Sequence, residues 1–226
     1  MPKKNLTYNI QRTLPDAQIV ETPLPLCPEM SLYLISADNM QRRFSVDETH
    51  RIIGTAPYWS FCWASGQAMA SYIFAHRDLI EEKSILDFGS GSGVVAVAAA
   101  MAGAGEVIAC DNDQAAIDAI KANAELNRVQ VNTCESLVGI SDSIDLIITA
   151  DVLYDRENHH FLIEFLSMAS LIFIADSRLK TLDVRPYKKI AEIETTILPD
   201  LSEGDEFKHV NIYRKYFTDS LEIHFL

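Results

Sequence analysis

The chain has 226 residues, 48% hydrophobic and 23% charged, a length and composition that fit one domain with an embellishment and exclude a disordered or fibrous protein. Against 19 basic side chains stand 32 acidic ones, a net charge of −13. That excess disfavours a nucleic-acid partner and suits a basic one, such as a lysine-bearing protein surface, though it would also serve solubility alone.

In chain order, the polar start Met1-Pro-Lys-Lys-Asn-Leu-Thr7 lacks the apolar core of a signal peptide, and no later stretch approaches the ~20 apolar residues of a membrane span. Both point to a cytoplasmic protein with no membrane partner. Pro15, Pro23, Pro25 and Pro28 predict extended pieces over the first thirty residues. Met30-Ser-Leu-Tyr-Leu-Ile35 alternates like a strand, and a polar bend follows at Asp38-Asn39. Residues 1–57 read as an N-terminal extension covering the active-site face, and residues 58–226 as the main domain. Pro57-Tyr-Trp-Ser-Phe-Cys-Trp63 is densely aromatic and leads into a helix from Gly66 to Leu79 with Met69, Ile73, Phe74 and Leu79 inward. Trp63 is a candidate ligand contact, with core packing as the alternative; Trp59 reads as packing or a substrate wall.

Ser84-Ile-Leu-Asp-Phe88 reads as a short strand that runs into glycines at 89, 91 and 93. Val94-Val-Ala-Val-Ala-Ala-Ala-Met101 is a helix packed closely on a sheet, and Glu106-Val-Ile-Ala-Cys110 is a second strand delivering Asp111, with Asn112 beside it. A strand–glycine loop–helix–strand–acid unit builds a nucleoside site. Glycines allow close approach of a ligand to the backbone, the helix N-terminus offers free N–H groups, and the acid accepts hydrogen bonds from ribose hydroxyls. A dinucleotide fingerprint would place its third glycine at 94, where valine stands; here it falls at 93, and Asp87 completes D-x-G-x-G-x-G. With Asp111 24 residues after Asp87, the pattern is that of S-adenosylmethionine (SAM) enzymes, where no pyrophosphate needs a cradle. Asp87, Gly89, Ser90, Gly91, Asp111 and Asn112 are candidate cofactor contacts, together with Trp63 and, further along the chain, Ser136 and Ala150. The alternative is a doubly wound domain whose glycines merely turn the chain.

Asp113 caps a helix through Asn127 with Ile117, Ile120 and Ala124 on one face, and Val129–Thr133 reads as the next strand. Ser136 lies in a loop that can touch adenine. Ile144-Asp-Leu-Ile-Ile-Thr-Ala150 is apolar enough for a central parallel strand and ends in Ala150, Asp151 and Tyr154. A helix over Asn158–Met168, a strand over Leu171–Ala175 and a short helix around Asp183–Ile190 follow. Ala191–Leu198 and Phe207–Phe217, joined by a short acidic turn, make an antiparallel pair, and Leu221–Leu226 an extra edge strand. Together these elements predict an α/β, Rossmann-like seven-stranded methyltransferase sheet, mostly parallel with a C-terminal antiparallel hairpin. Cys27, Cys62, Cys110 and Cys134 form no C-x-x-C pair and the histidines no metal spacing, so reduced thiols and no metal are expected.

Ligands of such sheets bind at the carboxyl ends of the strands, where Asp87, Asp111, Asp151 and Tyr154 fall. Asp151 and Tyr154 are the candidate catalytic pair; a strand-to-helix cap and plain packing are their respective alternatives. Asp87-Phe-Gly-Ser-Gly-Ser-Gly93 with Asp151-x-x-Tyr154 resembles the family-16 seven-β-strand protein methyltransferases. Pro28-Glu-x-x-Leu32-x-Leu34, Pro57-Tyr-Trp59, Trp63-x-x-Gly66-Gln67 and Glu125-Leu-Asn-Arg128 are similar to the lysine methyltransferases of the electron-transfer flavoprotein β-subunit. The resemblance runs from about Pro25 to Phe217 and implies mono- to trimethylation of lysines on a basic loop of that flavoprotein; a monomer is expected. Two places depart from it: Trp63-Ala-Ser-Gly66 for Trp-Pro-Gly-Gly, and Ala150-Asp-Val-Leu-Tyr154 for Gly-Asp-Met-Phe-Tyr. A small-molecule N-methyltransferase, a nucleic-acid methyltransferase and a non-catalytic SAM-binding module are the other classes. Val152-Leu153, where a base-holding turn would carry prolines, and the acidity speak against the second. The first needs a closed pocket roofed by the N-terminal segment.

Overall fold

The computed structural model describes residues 2–140, 143–179, 181–182 and 184–216. Pro2–Thr13 form a helix, α1, where the prolines beyond it predict only extended chain. Leu6, Ile10 and Leu14 recur at helical spacing and are buried, so a helix-period apolar stripe outweighs the breakers that lie downstream of it. β1 (Ile19–Leu24) and β2 (Cys27–Ile35) pair antiparallel as a separate two-stranded sheet, with Ile19 opposite Ile35. The short α2 (Ala37–Met40) replaces the expected bend. α3 (Val46–Gly54) opens on a capping box in which Ser45 and Glu48 cover each other's backbone N–H.

Six further elements build the nucleoside half: α4 (Ala64–Ala75), β3 (Ser84–Phe88), α5 (Val94–Met101), β4 (Glu106–Cys110), α6 (Gln114–Leu126) and β5 (Asn132–Cys134). The helix predicted from Gly66 to Leu79 starts two residues earlier and breaks at Ala75, with a 3-10 turn at Arg77–Leu79 beyond it. β6 (Ile144–Ala150), α7 (Phe161–Met168), β7 (Ala169–Asp176), β8 (Tyr187–Glu194) and β9 (His209–Lys215) complete the fold. The short helix predicted around Asp183–Ile190 is wrong over its second half, which is the start of β8; Asp183 itself lies outside the described residues, as does the edge strand predicted at Leu221–Leu226. Helix propensity loses there to sheet pairing, because Tyr187 is buried, lies opposite Lys215 and donates its hydroxyl to Leu162 O at 2.7 Å.

The large sheet runs β5-β4-β3-β6-β7-β9-β8, parallel from β5 to β7, with β9 antiparallel to both its neighbours. This is the Rossmann-like methyltransferase order. It reverses direction of growth between β3 and β6, the point at which open α/β sheets bind ligands. Buried residues of α4, α5 and α6 cover one face and those of α7 the other. α1 and the hairpin lie along α6, where Leu6, Ile10 and Ile19 join Ala116, Ala119 and Ala122 in a third apolar cluster. Two amides stitch that contact: Asn123 Oδ1 accepts from Tyr33 N at 2.7 Å, and Asn127 Nδ2 donates to Ser31 O at 2.7 Å. The described residues of 1–57 thus brace α6.

Candidate active site

The carboxyl ends of β3, β4 and β6 open into a cavity of about 1030 Å³. That is at the upper end of the ~300–1,000 Å³ usual for ligand pockets, with room for a nucleoside and a second reactant. No described residue before Tyr58 lines it.

At its β3–β4 end the glycine loop is shaped by Gly89 and Gly91, both with positive φ (71° and 54°). A Cβ on Gly89 would meet Val152 Cγ2 at 2.3 Å, whereas one on Gly91 would meet no protein atom within 4 Å. Gly89 is therefore required by packing, and Gly91 leaves its backbone bare to the cavity. Asp111 holds the loop in place, accepting from Gly91 N at 2.8 Å and from Asp113 N at 3.0 Å. Each carboxylate oxygen keeps a lone pair, and Asp111 and Asn112 both border the cavity. Burial pushes the Asp111 carboxyl above its ordinary value. Behind the loop, fully buried Asp87 accepts from Ser90 Oγ at 2.5 Å and Ala96 N at 3.1 Å, so Asp87 and Ser90 buttress the wall rather than line it. Burial drives Asp87 up to about 7, against the pull of those two hydrogen bonds. Ser136 and Leu137 border the cavity from the chain beyond β5, and Ala150 from the end of β6.

Asp151 stands at the other end with φ of +52°, a left-handed conformation that aspartate tolerates better than most residues. Its side chain is 6% exposed and joins two distant segments. Oδ2 accepts from Ser65 N at 3.1 Å and Oδ1 from Ser65 Oγ at 2.7 Å. Oδ1 also accepts from Ser177 N at 3.3 Å and Ser177 Oγ at 3.0 Å. Trp63, the residue at the N-cap of α4, offers no capping side chain, so Asp151 caps that helix across 86 residues. Asp151 and Asp176 lie close enough that the former, after burial, helps raise Asp176 to about 6. Tyr154 is 47% exposed at the cavity edge, its hydroxyl raised first by burial and next by Tyr58. Trp63 donates Nε1–H to Tyr58 O at 3.1 Å and packs 5.7 Å from the Tyr58 ring, while Trp59 is buried with one side on the cavity.

Of the sequence-derived candidates, Trp63, Gly89, Gly91, Asp111, Asn112, Ser136, Ala150, Asp151 and Tyr154 share one cavity wall, and Asp87 and Ser90 stand behind it. Ser65, Ser177 and Arg178 carry no motif and are added by the fold. Ser65 had one signal: it sits in the departure Trp63-Ala-Ser-Gly66, with Ala64 at the first helical position, where a proline fits without loss. The rim is acidic. Asp113, Glu135, Asp155, Glu157 and Glu164 border the cavity, and Arg178 is the one lysine or arginine among its described lining residues. Among the described residues no three acidic, histidine or cysteine side chains group as metal ligands, and no helix is long and apolar enough to cross a membrane.

The sequence profile of the ribosomal protein L11 methyltransferase (PrmA) family matches residues 70–157, from the second half of α4 to just beyond Tyr154. The electron transfer flavoprotein beta subunit lysine methyltransferase of Homo sapiens is 38% identical over 104 residues, 45% of this chain and 40% of that protein. Its Danio rerio counterpart is 35% identical over 134 residues, 58% of this chain and 51% of that protein. The chain therefore matches about half the length of these curated relatives. In three dimensions it is similar to magnesium protoporphyrin IX methyltransferase from Synechocystis PCC 6803 with bound SAM, with a TM-score of 0.50 and 16% identity over 77% of this chain and 86% of that one. That likeness establishes the methyltransferase fold, and the sequence matches bear out the resemblance read from the motifs.

Proposed function

We propose that this chain is a SAM-dependent N-methyltransferase acting on lysine of a basic protein surface, the electron-transfer flavoprotein β-subunit or one like it. The observation that carries this reading is a single cavity with a glycine loop and Asp111 at one end and an acid-rimmed, aromatic-walled mouth at the other. The residues present suit the cofactor. Asp111 retains lone pairs toward the cavity for a ribose diol, Gly91 leaves room beside the loop backbone, and Ser136 and Leu137 flank space for a base. When bound, SAM supplies a methyl group on a sulfonium.

The remaining work falls to the chain. A lysine has a reference pKa of ~10.4, so deprotonating it at neutral pH takes about 4 kcal/mol. A carboxylate opposes that by favouring the cation. Asp151, already committed to Ser65 and Ser177, is a positioning group rather than a base: it fixes the acceptor end of the cavity and helps hold the arriving ammonium, and the proton leaves to water. Tyr154 walls the acceptor path. The acidic rim captures a cationic surface and repels phosphate, which disfavours a nucleic-acid substrate.

A small-molecule acceptor needs a roof, and no described residue of 1–57 reaches the cavity; Tyr58 and Tyr154 are 57% and 47% exposed at its edge. A monomer acting in the cytoplasm completes the proposal, with residues 1–57 as an extension of the catalytic domain. The test is incubation with radiolabelled SAM and a cell lysate, then with purified flavoprotein. Label on lysine of a protein band supports the reading; label confined to small molecules or RNA defeats it.

A further inference from the structure

Arg178 has no task in the mechanism above, yet it occupies the acceptor end. Its guanidinium carbon lies 5.3 Å from the ring centre of Trp63, 5.7 Å from that of Tyr154 and 5.0 Å from that of Phe207. Two carboxylates flank it: Nη2 contacts Glu203 Oε1 at 2.5 Å, and Nη1 stands 4.0 Å from Asp151 Oδ1 while donating to Ser177 Oγ at 3.2 Å. An arginine set out to bind a phosphate or carboxylate ligand keeps its fork free. Here Glu203 closes one arm, and Asp151 with Ser177 meets another. Three ring faces and one carboxylate, Asp151, around one nitrogen cation are what recognises an alkylammonium group, and Glu203 holds the arginine there.

We propose that Trp63, Tyr154, Phe207 and Asp151 form the slot for the acceptor's ammonium, and that Arg178 is an internal occupant, tethered there by Glu203 from outside the cavity lining, which the acceptor displaces. The proposal rests on the reading of the chain as an N-methyltransferase and adds a selection step to it. A tethered cation competes at a high effective concentration, so a free amine of the same chemistry loses to it. A lysine presented on a protein gains further contacts at the acidic rim and wins. Arg178 is thus a specificity-determining residue that rejects small amines.

The probe is n-butylammonium, the end of a lysine side chain, titrated without cofactor into the full chain carrying ¹⁵N-labelled indoles. Trp59 and Trp63 are the two tryptophans, and the Trp63 N–H signal reports on the slot. If Arg178 fills the slot about nine-tenths of the time, it lowers the apparent affinity about tenfold, so Arg178→Ala should bind the probe roughly tenfold tighter. Glu203→Gln separates displacement from bare electrostatics. It removes a negative charge, which alone would weaken cation binding, whereas release of Arg178 tightens it several-fold. Tighter binding in both variants supports the slot. Unchanged affinity in Arg178→Ala, or unchanged or weaker affinity in Glu203→Gln, overturns it. Should Arg178→Ala fail to fold, Glu203→Gln decides alone. The titration involves neither SAM nor methyl transfer, so a failed labelling experiment with this affinity pattern intact would sink the enzyme reading and leave the slot standing.

Discussion

Replacing Asp151 tests whether one carboxylate both builds and serves the site. Asp151→Ala removes the acceptor of four hydrogen bonds from Ser65 and Ser177 and places alanine at a φ of +52°. Hydrogen bonds to a charged group contribute ~1.5–3 kcal/mol each but do not add, and the left-handed backbone costs alanine roughly 1–2 kcal/mol. Loss of a buried charge with its partners therefore sums to about 3–5 kcal/mol. Asp151→Asn keeps one oxygen acceptor and a residue at ease with positive φ, so it should lose only ~1–2 kcal/mol. Urea unfolding followed by circular dichroism reads this directly; at a slope of about 2 kcal/mol/M the alanine variant's midpoint falls by roughly 1.5–2.5 M. With the asparagine variant folded, SAM affinity should stay within a few-fold while single-turnover transfer falls ~10²-fold or more, the effect of misplacing an acceptor by about 1 Å. An alanine midpoint within ~0.3 M of wild type would refute the capping argument. Unchanged transfer in Asp151→Asn would refute the positioning role.

Asp111→Ala should weaken SAM at least tenfold by calorimetric titration, since it removes charge-assisted bonds of ~1.5–3 kcal/mol each and frees the Gly91 amide, whereas Asp113→Ala should mainly loosen the cap of α6. Gly91→Val should abolish SAM binding in a chain that circular dichroism shows folded, because the space there is open and the cost is confined to the strain of valine at a φ of +54°; Gly89→Ala should lower stability through a clash as well, its Cβ striking Val152. Asp87 makes a signed pH prediction. Its folded pKa of about 7 exceeds the ordinary 3.8, so the folded state binds the extra proton, and stability declines as pH rises from about 4 to 7, by an amount on the order of a few kcal/mol. Asp87→Asn should flatten that part of the stability–pH curve measured by urea titration, and a curve as steep as wild type would remove Asp87 as the cause.

In the parallel half of the sheet β3, β4, β6 and β7 were legible because each is a short apolar run closed by a glycine or an acid, and Ile144–Ala150 falls at its predicted bounds, whereas the polar β5 lies at Asn132–Cys134 and not at the Val129–Thr133 expected. Burial on both faces leaves few other homes for such runs. The ends of the chain read less well. α1 carries a helical stripe, but prolines from Pro15 onward masked it, and α3 announces itself only through the pair Ser45 and Glu48. β8 depends on a partner 15 to 28 residues further along the chain: Tyr187 faces Lys215 and Glu194 faces His209, and no local pattern records that pairing.

The site divides in the same way. Contacts made within one loop, as Asp87 to Ser90 and Asp111 to Asp113, follow from spacing, and the glycine fingerprint exposes them. Asp151 was visible as a strand-end acid, but its meaning lies in Ser65, 86 residues before it, and Ser177, 26 residues after. Those partners decide how the carboxylate acts. A carboxylate that already accepts four hydrogen bonds has little room left to swing toward a further partner. The same bonds lock its position between α4 and the end of β7, which a group that orients an incoming amine must have and a group that swings to collect a proton need not. The cap and the positioning role are therefore one arrangement: the bonds that hold the N-terminus of α4 are what would keep Asp151 still while the acceptor arrives.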